Sequence, residues 1–120
     1  MNSLIDPKFG ELYYAFLVGE GSIQNGIRPV LIAQNNVGNK HSPTITVIPI
    51  TSKNKAEYLP THVFVKDYIE CGLGTTSTIM VEQIQTIPKN NLQSKIGVIP
   101  ESYLAKIGQA ISIQMPFPFP

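Results

Sequence analysis

Cysteine, tryptophan and arginine are almost missing from this sequence of 120 residues, which has one cysteine, no tryptophan and one arginine. The lone Cys71 cannot form an internal disulfide, which is typical of proteins in a reducing compartment. No apolar run reaches the roughly 20 residues that a helix needs to cross a bilayer. The first residues lack the basic region and apolar stretch of a signal peptide. We therefore expect a cytoplasmic protein without a membrane segment.

Charge is also scarce, since charged residues make up 14% of the chain and the net charge is +1. This excludes a broad cationic surface for duplex nucleic acid but allows a local groove. The acidic residues and histidines show no metal-ligand spacing, so we expect no metal and no other cofactor. The length predicts one domain over residues 1–120, whose small core would benefit from a homodimer interface. The tail at 116–120, PFPFP, is expected to be flexible.

Short β-rich runs, separated by Gly, Pro, Asn and Ser residues, fill most of the chain. They cover residues 12–17, 30–34, 44–50, 61–65 and 77–87. The run at 77–87 is long enough to bend or to form two strands. Between the runs we expect a glycine-rich loop at 18–27 and an Asn/Gly turn at 35–42.

The C-terminal part changes its hydrophobic period from that of strands to that of a helix. Leu104, Ile107, Ile111 and Met115 are three or four residues apart, which predicts one apolar helix face within 100–115. The fold class is therefore mainly β, and we expect a small, partly open antiparallel barrel with a C-terminal α-helix.

Arg28 stands directly before Pro29, and a residue in that position is held in an extended conformation. We expect Arg28 to begin the second strand, beside the glycine-rich loop. Its guanidinium offers five donors in a rigid fork that matches phosphate oxygens, and it stays charged at any relevant pH. Thr51 and Ser52 end the third run. If the second and third strands are neighbours, the Thr51 hydroxyl can lie near the guanidinium.

Several blocks of the sequence resemble the MazF/PemK endoribonuclease toxins of bacterial toxin–antitoxin pairs. The blocks are GELYYAFL, GSIQNGIRPVLIAQNNVGNKHSPT, PITS, LPTHV and EQIQTI, in order from Gly10 to the C-terminal helix. The resemblance implies an SH3-like barrel and a homodimer. It also implies cleavage of single-stranded RNA, including mRNA, at short sequences without a metal, which leaves a 2′,3′-cyclic phosphate and a 5′-hydroxyl.

By the same resemblance, Arg28 and Thr51 match the catalytic residues of the family. The residues expected to bind RNA, from the resemblance and from the two polar clusters, are Ser22, Gln24, Asn25, Ser52, Lys53 and Gln83. Lys40 and Lys55 flank the same region and are expected to help steer RNA. The expected protein partner is an antitoxin whose acidic, disordered C-terminal segment folds into the RNA groove.

One position departs from the family pattern. Many members have an acid in the loop, in the sequence SEQ, where this chain has SIQ with Ile23. Glu20, three residues earlier, is an alternative carboxylate. The group that accepts the 2′-hydroxyl proton and the base preference therefore stay open.

Other roles for the same residues were weighed. Arg28 could form an ion pair with Glu82, and Thr51 could serve only as a turn residue at the end of a strand. His41 and His62 could act as an acid–base pair, but we expect both to face outward. Cys71 has no activating neighbours for a thiol nucleophile.

Two other functions remain possible from the sequence. One is a toxin of the same fold that binds and poisons DNA gyrase without catalysis, which the unusual C-terminal tail keeps open. The other is a catalytically silent homologue that only binds RNA or its antitoxin, which Ile23 keeps open.

Overall fold

The computed structural model describes residues 5–53 and 59–118, which form a mainly β fold with a C-terminal helix. Its strands are β1 (Glu11–Leu17), β2 (Gly26–Ile32), β3 (Thr44–Thr51), β4 (His62–Val65), β5 (Ser77–Met80), β6 (Gln85–Pro88) and β7 (Leu92–Val98). Its α-helices are α1 (Asn36–His41), α2 (Tyr68–Cys71) and α3 (Leu104–Gln114). Short 3₁₀ helices cover Val81–Gln83, Lys89–Asn91 and Glu101–Tyr103.

The strands form one antiparallel sheet in the order β4-β5-β3-β2-β1-β7, and β6 also pairs with β3. β3 is the centre of this arrangement, because it pairs with β2, with β6 near its start and with β5 at its end. The sheet remains open between β4 and β7 within the described residues. The predicted mainly β, partly open fold with a C-terminal helix is confirmed.

Two hydrophobic clusters hold the sheet. The first lies beneath α3 and includes Leu12, Leu31, Ile48, Ile50, Val63, Ile79, Ile107 and Ala110. The second lies against the other side of the central strands and includes Tyr13, Ala15, Leu17, Val30, Ile32, Ile45, Val47 and Ile87. The central strands are buried on both sides, which explains why β2 and β3 read as almost continuous apolar runs.

The C-terminal helix follows the predicted pattern except at Met115, which lies just after its last residue, Gln114. Ile107 and Ala110 are buried, and Leu104 and Ile111 are half-buried against the first cluster. Gly108 lies on the exposed side, where an added Cβ would meet open space. Among the described residues, no helix has the length and apolar character needed to span a bilayer. Of the predicted flexible tail, residues 116–118 are exposed, and residues 119–120 lie outside the described residues.

Some local predictions were wrong. The expected turn at 35–42 contains α1, because Asn35 caps a helix there by accepting a hydrogen bond from the Gly38 backbone N at 2.8 Å. β7 was missed, because residues 93–95 are polar and exposed and give no alternating pattern. The run at 77–87 is two strands, β5 and β6, with the 3₁₀ turn Val81–Gln83 between them.

Candidate active site

The ends of β2 and β3 bring the two predicted catalytic residues to one cleft. The two strands are antiparallel neighbours, with Val30 opposite Pro49. Continuing that register by two residues puts Arg28 across from Thr51. Both residues line a cleft of about 250 Å³. The described lining residues are Tyr14, Gln24, Arg28, Pro29, Ile50, Thr51, Ser52, Lys53, Leu73, Gly74, Thr75 and Ser77.

Arg28 is exposed and is held from one side only. Its Nε donates to the backbone carbonyl oxygen of Asn25 at 3.0 Å. Among the described residues, no carboxylate lies within 4.0 Å of its guanidinium, and the alternative ion pair with Glu82 is wrong, because Glu82 pairs with His62. The guanidinium is thus oriented by a neutral acceptor that leaves its full charge available to a ligand. Arg28 is the third residue of β2, not the first as predicted, because the strand begins at Gly26.

Thr51 is the last residue of β3 and is only 7% exposed. Its Oγ1 accepts a hydrogen bond from the Lys53 backbone N at 3.2 Å, which is the strand-end role that the residue type also suggested. A hydroxyl that accepts such a bond keeps its own proton, which it can donate to a phosphate oxygen. Thr51 lies opposite Thr78 of β5, so neighbouring strands fix its backbone from that side.

The loop before β2 is closed by bonds within the loop. The Gly19 backbone N donates to Asn25 Oδ1 at 3.1 Å, and the Ile23 backbone N donates to the Glu20 carbonyl oxygen at 3.0 Å. Gly19 has no room for a side chain, since an added Cβ would lie 2.6 Å from the Gln24 carbonyl oxygen. The loop therefore has one compact shape next to Arg28.

Gln83 ties this loop to the body of the protein. Its Oε1 accepts from the Gln24 backbone N at 2.9 Å, and its Nε2 donates to the Ser22 carbonyl oxygen at 2.9 Å. Both ends of the amide are thus occupied by the loop backbone. The 3₁₀ turn Val81–Gln83 that carries it is in turn fixed by Glu82, whose Oε2 lies 2.8 Å from His62 Nε2.

The structure divides the predicted RNA-binding residues into two groups. Gln24, Ser52 and Lys53 line the cleft. Ser22, Asn25 and Gln83 are not among its described lining residues, and their hydrogen bonds support the loop and Arg28. Lys40, on α1, is also outside the lining, and Lys55 lies outside the described residues.

The sequence reasoning missed Tyr14 and four residues that follow α2, which form much of the remaining wall: Leu73, Gly74, Thr75 and Ser77. The polar residues Thr75 and Ser77 gave no recognisable spacing. Tyr14 belongs to the cleft because it lies opposite Pro29 in the β1–β2 ladder. The described lining residues include no acidic side chain, so Glu20, the alternative carboxylate, does not line the cleft.

The histidines and the cysteine lie elsewhere. His41 is exposed at the end of α1, as expected, but the His62 side chain is only 4% exposed. The prediction that His62 faces outward is wrong, because the turn after Met80, its partner on β5, brings Glu82 over it. Burial, with Asp67 and Glu70 nearby, raises the pKa of the Cys71 thiol, so the nucleophilic thiolate is disfavoured. No group of three or more potential metal-binding side chains occurs within the described parts of the chain.

Comparison with known proteins gives close relatives. The family model described as PemK-like, MazF-like toxin of type II toxin–antitoxin system matches residues 8–115. Endoribonuclease EndoA of Bacillus subtilis is 40% identical over 109 residues, which cover 90% of this chain and 93% of the relative. Endoribonuclease MazF of Staphylococcus saprophyticus is 39% identical over 107 residues, 88% of each chain.

Solved structures show the same fold. The Mycobacterium tuberculosis toxin MazF-mt6 superposes with a TM-score of 0.76 at 28% identity, covering 91% of this chain and 99% of that one. A mycobacterial endoribonuclease, solved in complex with its cognate antitoxin, has a TM-score of 0.72 at 24% identity, covering 95% and 99%.

Proposed function

This chain belongs to the PemK-like, MazF-like toxin family of type II toxin–antitoxin systems, and from that premise we propose that it is a sequence-specific endoribonuclease that cleaves single-stranded RNA, including mRNA. The family predicted from the sequence motifs is confirmed. The observation that most supports the activity is the meeting of Arg28 and Thr51 in one cleft, where Arg28 has no acidic partner among the described residues. Relatives named endoribonuclease at about 40% identity support the same activity.

In the proposed reaction, the ribose 2′-oxygen attacks the adjacent phosphorus and loses its proton. The bond from phosphorus to the 5′-oxygen of the next nucleotide breaks, and that oxygen takes a proton. The products are a 2′,3′-cyclic phosphate and a 5′-hydroxyl. Negative charge grows on the phosphoryl oxygens in the transition state, and Arg28 is placed to stabilise it. The Thr51 hydroxyl donates a hydrogen bond that orients the phosphate or the 2′-hydroxyl.

Charge in the cleft supports a mechanism that needs no metal ion. Arg28 keeps its charge at all relevant pH values, and Lys53 adds a second cation to the same lining. Preorganised donors of this kind supply the electrostatic stabilisation that a metal supplies in other nucleases. We therefore expect full activity in the presence of a chelator.

The proposed partners follow from the family and from the form of the cleft. A toxin of this family needs an antitoxin, and an acidic disordered segment would complement Arg28 and Lys53 in the open cleft. We also propose that the toxin is a homodimer and that it acts in the cytoplasm, where mRNA is its substrate.

The test is cleavage of a long, weakly structured RNA by the purified protein in EDTA, followed by mapping of the new 5′ ends. We expect discrete cuts at one short sequence, 5′-hydroxyl ends, and no cuts by Arg28→Ala. Intact RNA from a folded wild-type protein would contradict the proposal. In that case, truncation after Met115 tests the gyrase-binding alternative, and Ile23→Glu tests whether the missing loop acid silences the enzyme.

A further inference from the structure

The β1–β2 hairpin exposes a row of apolar side chains on one face. Along β1, Tyr13 and Ala15 are buried, whereas Tyr14 is 42% and Phe16 is 44% exposed. Directly opposite residues in an antiparallel pair share a face, and Tyr14 lies opposite Pro29 while Phe16 lies opposite Ile27. Ile27 is 48% exposed. We call these residues, Tyr14, Phe16, Ile27 and Pro29, the β1–β2 strip.

The same face is covered elsewhere in the fold. Leu12 lies two residues before Tyr14, opposite Leu31, and both are buried in the cluster beneath α3. After this pair the face is no longer buried by other parts of the protein, so Tyr14 and Phe16 on the same face are exposed. Phe16 belongs to neither hydrophobic cluster, so the core does not require an apolar residue at that position. An aromatic ring there, nearly half exposed, points to a ligand.

The strip is continuous with the candidate active site. Tyr14 and Pro29 also line the cleft that contains Arg28 and Lys53. The surface therefore runs from two cations to one aromatic ring and then to a second, two residues along an extended strand. None of the four strip residues and none of the described cleft-lining residues is acidic. Cations for the backbone beside aromatic faces for the bases are the combination that binds single-stranded nucleic acid.

We propose that the β1–β2 strip is a base-stacking surface, on which Tyr14 and Phe16 bind nucleotides of single-stranded RNA next to the cleaved phosphate. This inference rests on the proposed endoribonuclease function and extends it from the scissile phosphate to its neighbouring bases. Tyr14 is placed at the nucleotide nearest Arg28, and Phe16 at one farther along the strand. The surface adds affinity and positions the RNA, whereas Arg28 and Thr51 act on the phosphate.

The test uses an RNA oligonucleotide that contains the mapped cut sequence, a 2′-deoxy sugar at the cut and 2-aminopurine at a flanking position. Stacking on an aromatic ring quenches the fluorescence of that base. Phe16→Leu keeps an apolar side chain and removes the ring, so we expect about tenfold weaker binding, lost quenching, a raised KM and a nearly unchanged kcat. Tyr14→Leu should also weaken binding and lose quenching, at the other flanking position.

Phe64→Leu is the matched control, because Phe64 is 41% exposed on β4 and lines a different groove. We expect it to bind RNA like the wild type. Equal binding by Phe16→Leu and the wild type would overturn the proposal. So would equal weakening by Phe64→Leu, or weakening by Phe16→Leu that sedimentation traces to dissociation of a dimer.

A missing stacking surface and a missing nuclease activity give different results in these experiments. A wild-type protein that cuts RNA while Phe16→Leu retains full quenching contradicts the stacking surface alone. A wild-type protein that cuts no RNA, but quenches 2-aminopurine in mixed-sequence oligonucleotides in a Phe16-dependent way, contradicts the nuclease activity alone. A protein that neither binds nor cuts RNA overturns both.

Discussion

The candidate active site is smaller than another concave region formed by the described residues. The larger, with a volume of about 580 Å³ against about 250 Å³ for the cleft, is a groove between β4 and α3. Its lining includes Phe64, Lys66, Tyr103, Lys106 and Ile113. Size alone would therefore select the groove, whereas the proposed phosphate chemistry is assigned to the cleft because of the hydrogen bonds that its polar groups make.

In the groove, two of the polar groups already have partners within the protein. The Tyr103 hydroxyl donates to Asp67 Oδ2 at 2.7 Å, and His62 Nε2 lies 2.8 Å from Glu82 Oε2. In the cleft, Arg28 gives only its Nε to a neutral carbonyl, and Thr51 uses its hydroxyl as an acceptor. Donors that are held in place but not neutralised are what a phosphate needs.

Among these variants, Arg28→Ala in the cleft should lower the rate of RNA cleavage the most, whereas a variant in the groove should leave it unchanged. Removal of the guanidinium should lower kcat for RNA cleavage by about a thousandfold, the effect of losing a main electrostatic stabiliser of a transition state. The side chain is exposed, so the fold should survive, which circular dichroism and a melting curve can check. Lys106→Ala, in the groove, is the matched control and should cut RNA at the wild-type rate. A folded Arg28→Ala that cleaves normally would remove Arg28 from the mechanism.

Thr51→Val should have the next largest effect. The substitution keeps the shape and removes the hydroxyl, so we expect kcat to fall by about a hundredfold if Thr51 orients the reacting groups. It also removes the acceptor for the Lys53 backbone N, which should lower the free energy of unfolding by about 1 kcal/mol. Thr51→Ser restores a hydroxyl and should recover most of the activity. A Thr51→Val variant that keeps full activity would leave Thr51 as a turn residue only.

Variants of Gln83 test whether RNA cleavage requires that the loop next to the cleft be held in place. Gln83→Ala removes both bonds to the loop, and Gln83→Glu keeps the acceptor but loses the donor to the Ser22 carbonyl. Since each net hydrogen bond is worth about 1 kcal/mol, we expect Gln83→Ala to raise KM by about thirtyfold and Gln83→Glu by about fivefold, and both variants to relax the cut sequence. Gln109→Ala, in the groove, is the control. A variant with unchanged KM and unchanged cut sites would show that the loop keeps its shape without Gln83.

Sequence reasoning predicted the parts of this site that depend on one strand at a time. The restriction that Pro29 places on Arg28, and the end of an apolar run at Thr51, are local and readable. The structural role of Gln83 depends on its hydrogen bond with Gln24, which is 59 residues away in the sequence. The position of Tyr14 in the cleft depends on the β1–β2 register, which puts it opposite Pro29. Such long-range partners leave no local periodicity.

The fold was predictable to the same degree. Apolar alternation identified the strands that bury a face and the helix face around Ile107. β7 was not predicted because a strand at a sheet edge can be polar. It pairs with β1 although residues 93–95 are exposed. His62 was misplaced because strand alternation does not reveal that a turn, here the one carrying Glu82, covers the outward face.

Tyr103→Phe should give the smallest effect, and it should affect stability alone. Loss of the bond to Asp67 should cost about 1 kcal/mol, with a fall in Tm of about 4 °C and no change in RNA cleavage. Burial and that bond raise the pKa of Tyr103 above its usual value of 10.0. Its contribution is therefore complete below pH 10 and is lost as the pH rises through the raised pKa. The difference in Tm between wild type and variant should narrow over that range. A constant difference would contradict this role of the Tyr103 hydroxyl, and a loss of cleavage would mean that the groove and the cleft are coupled.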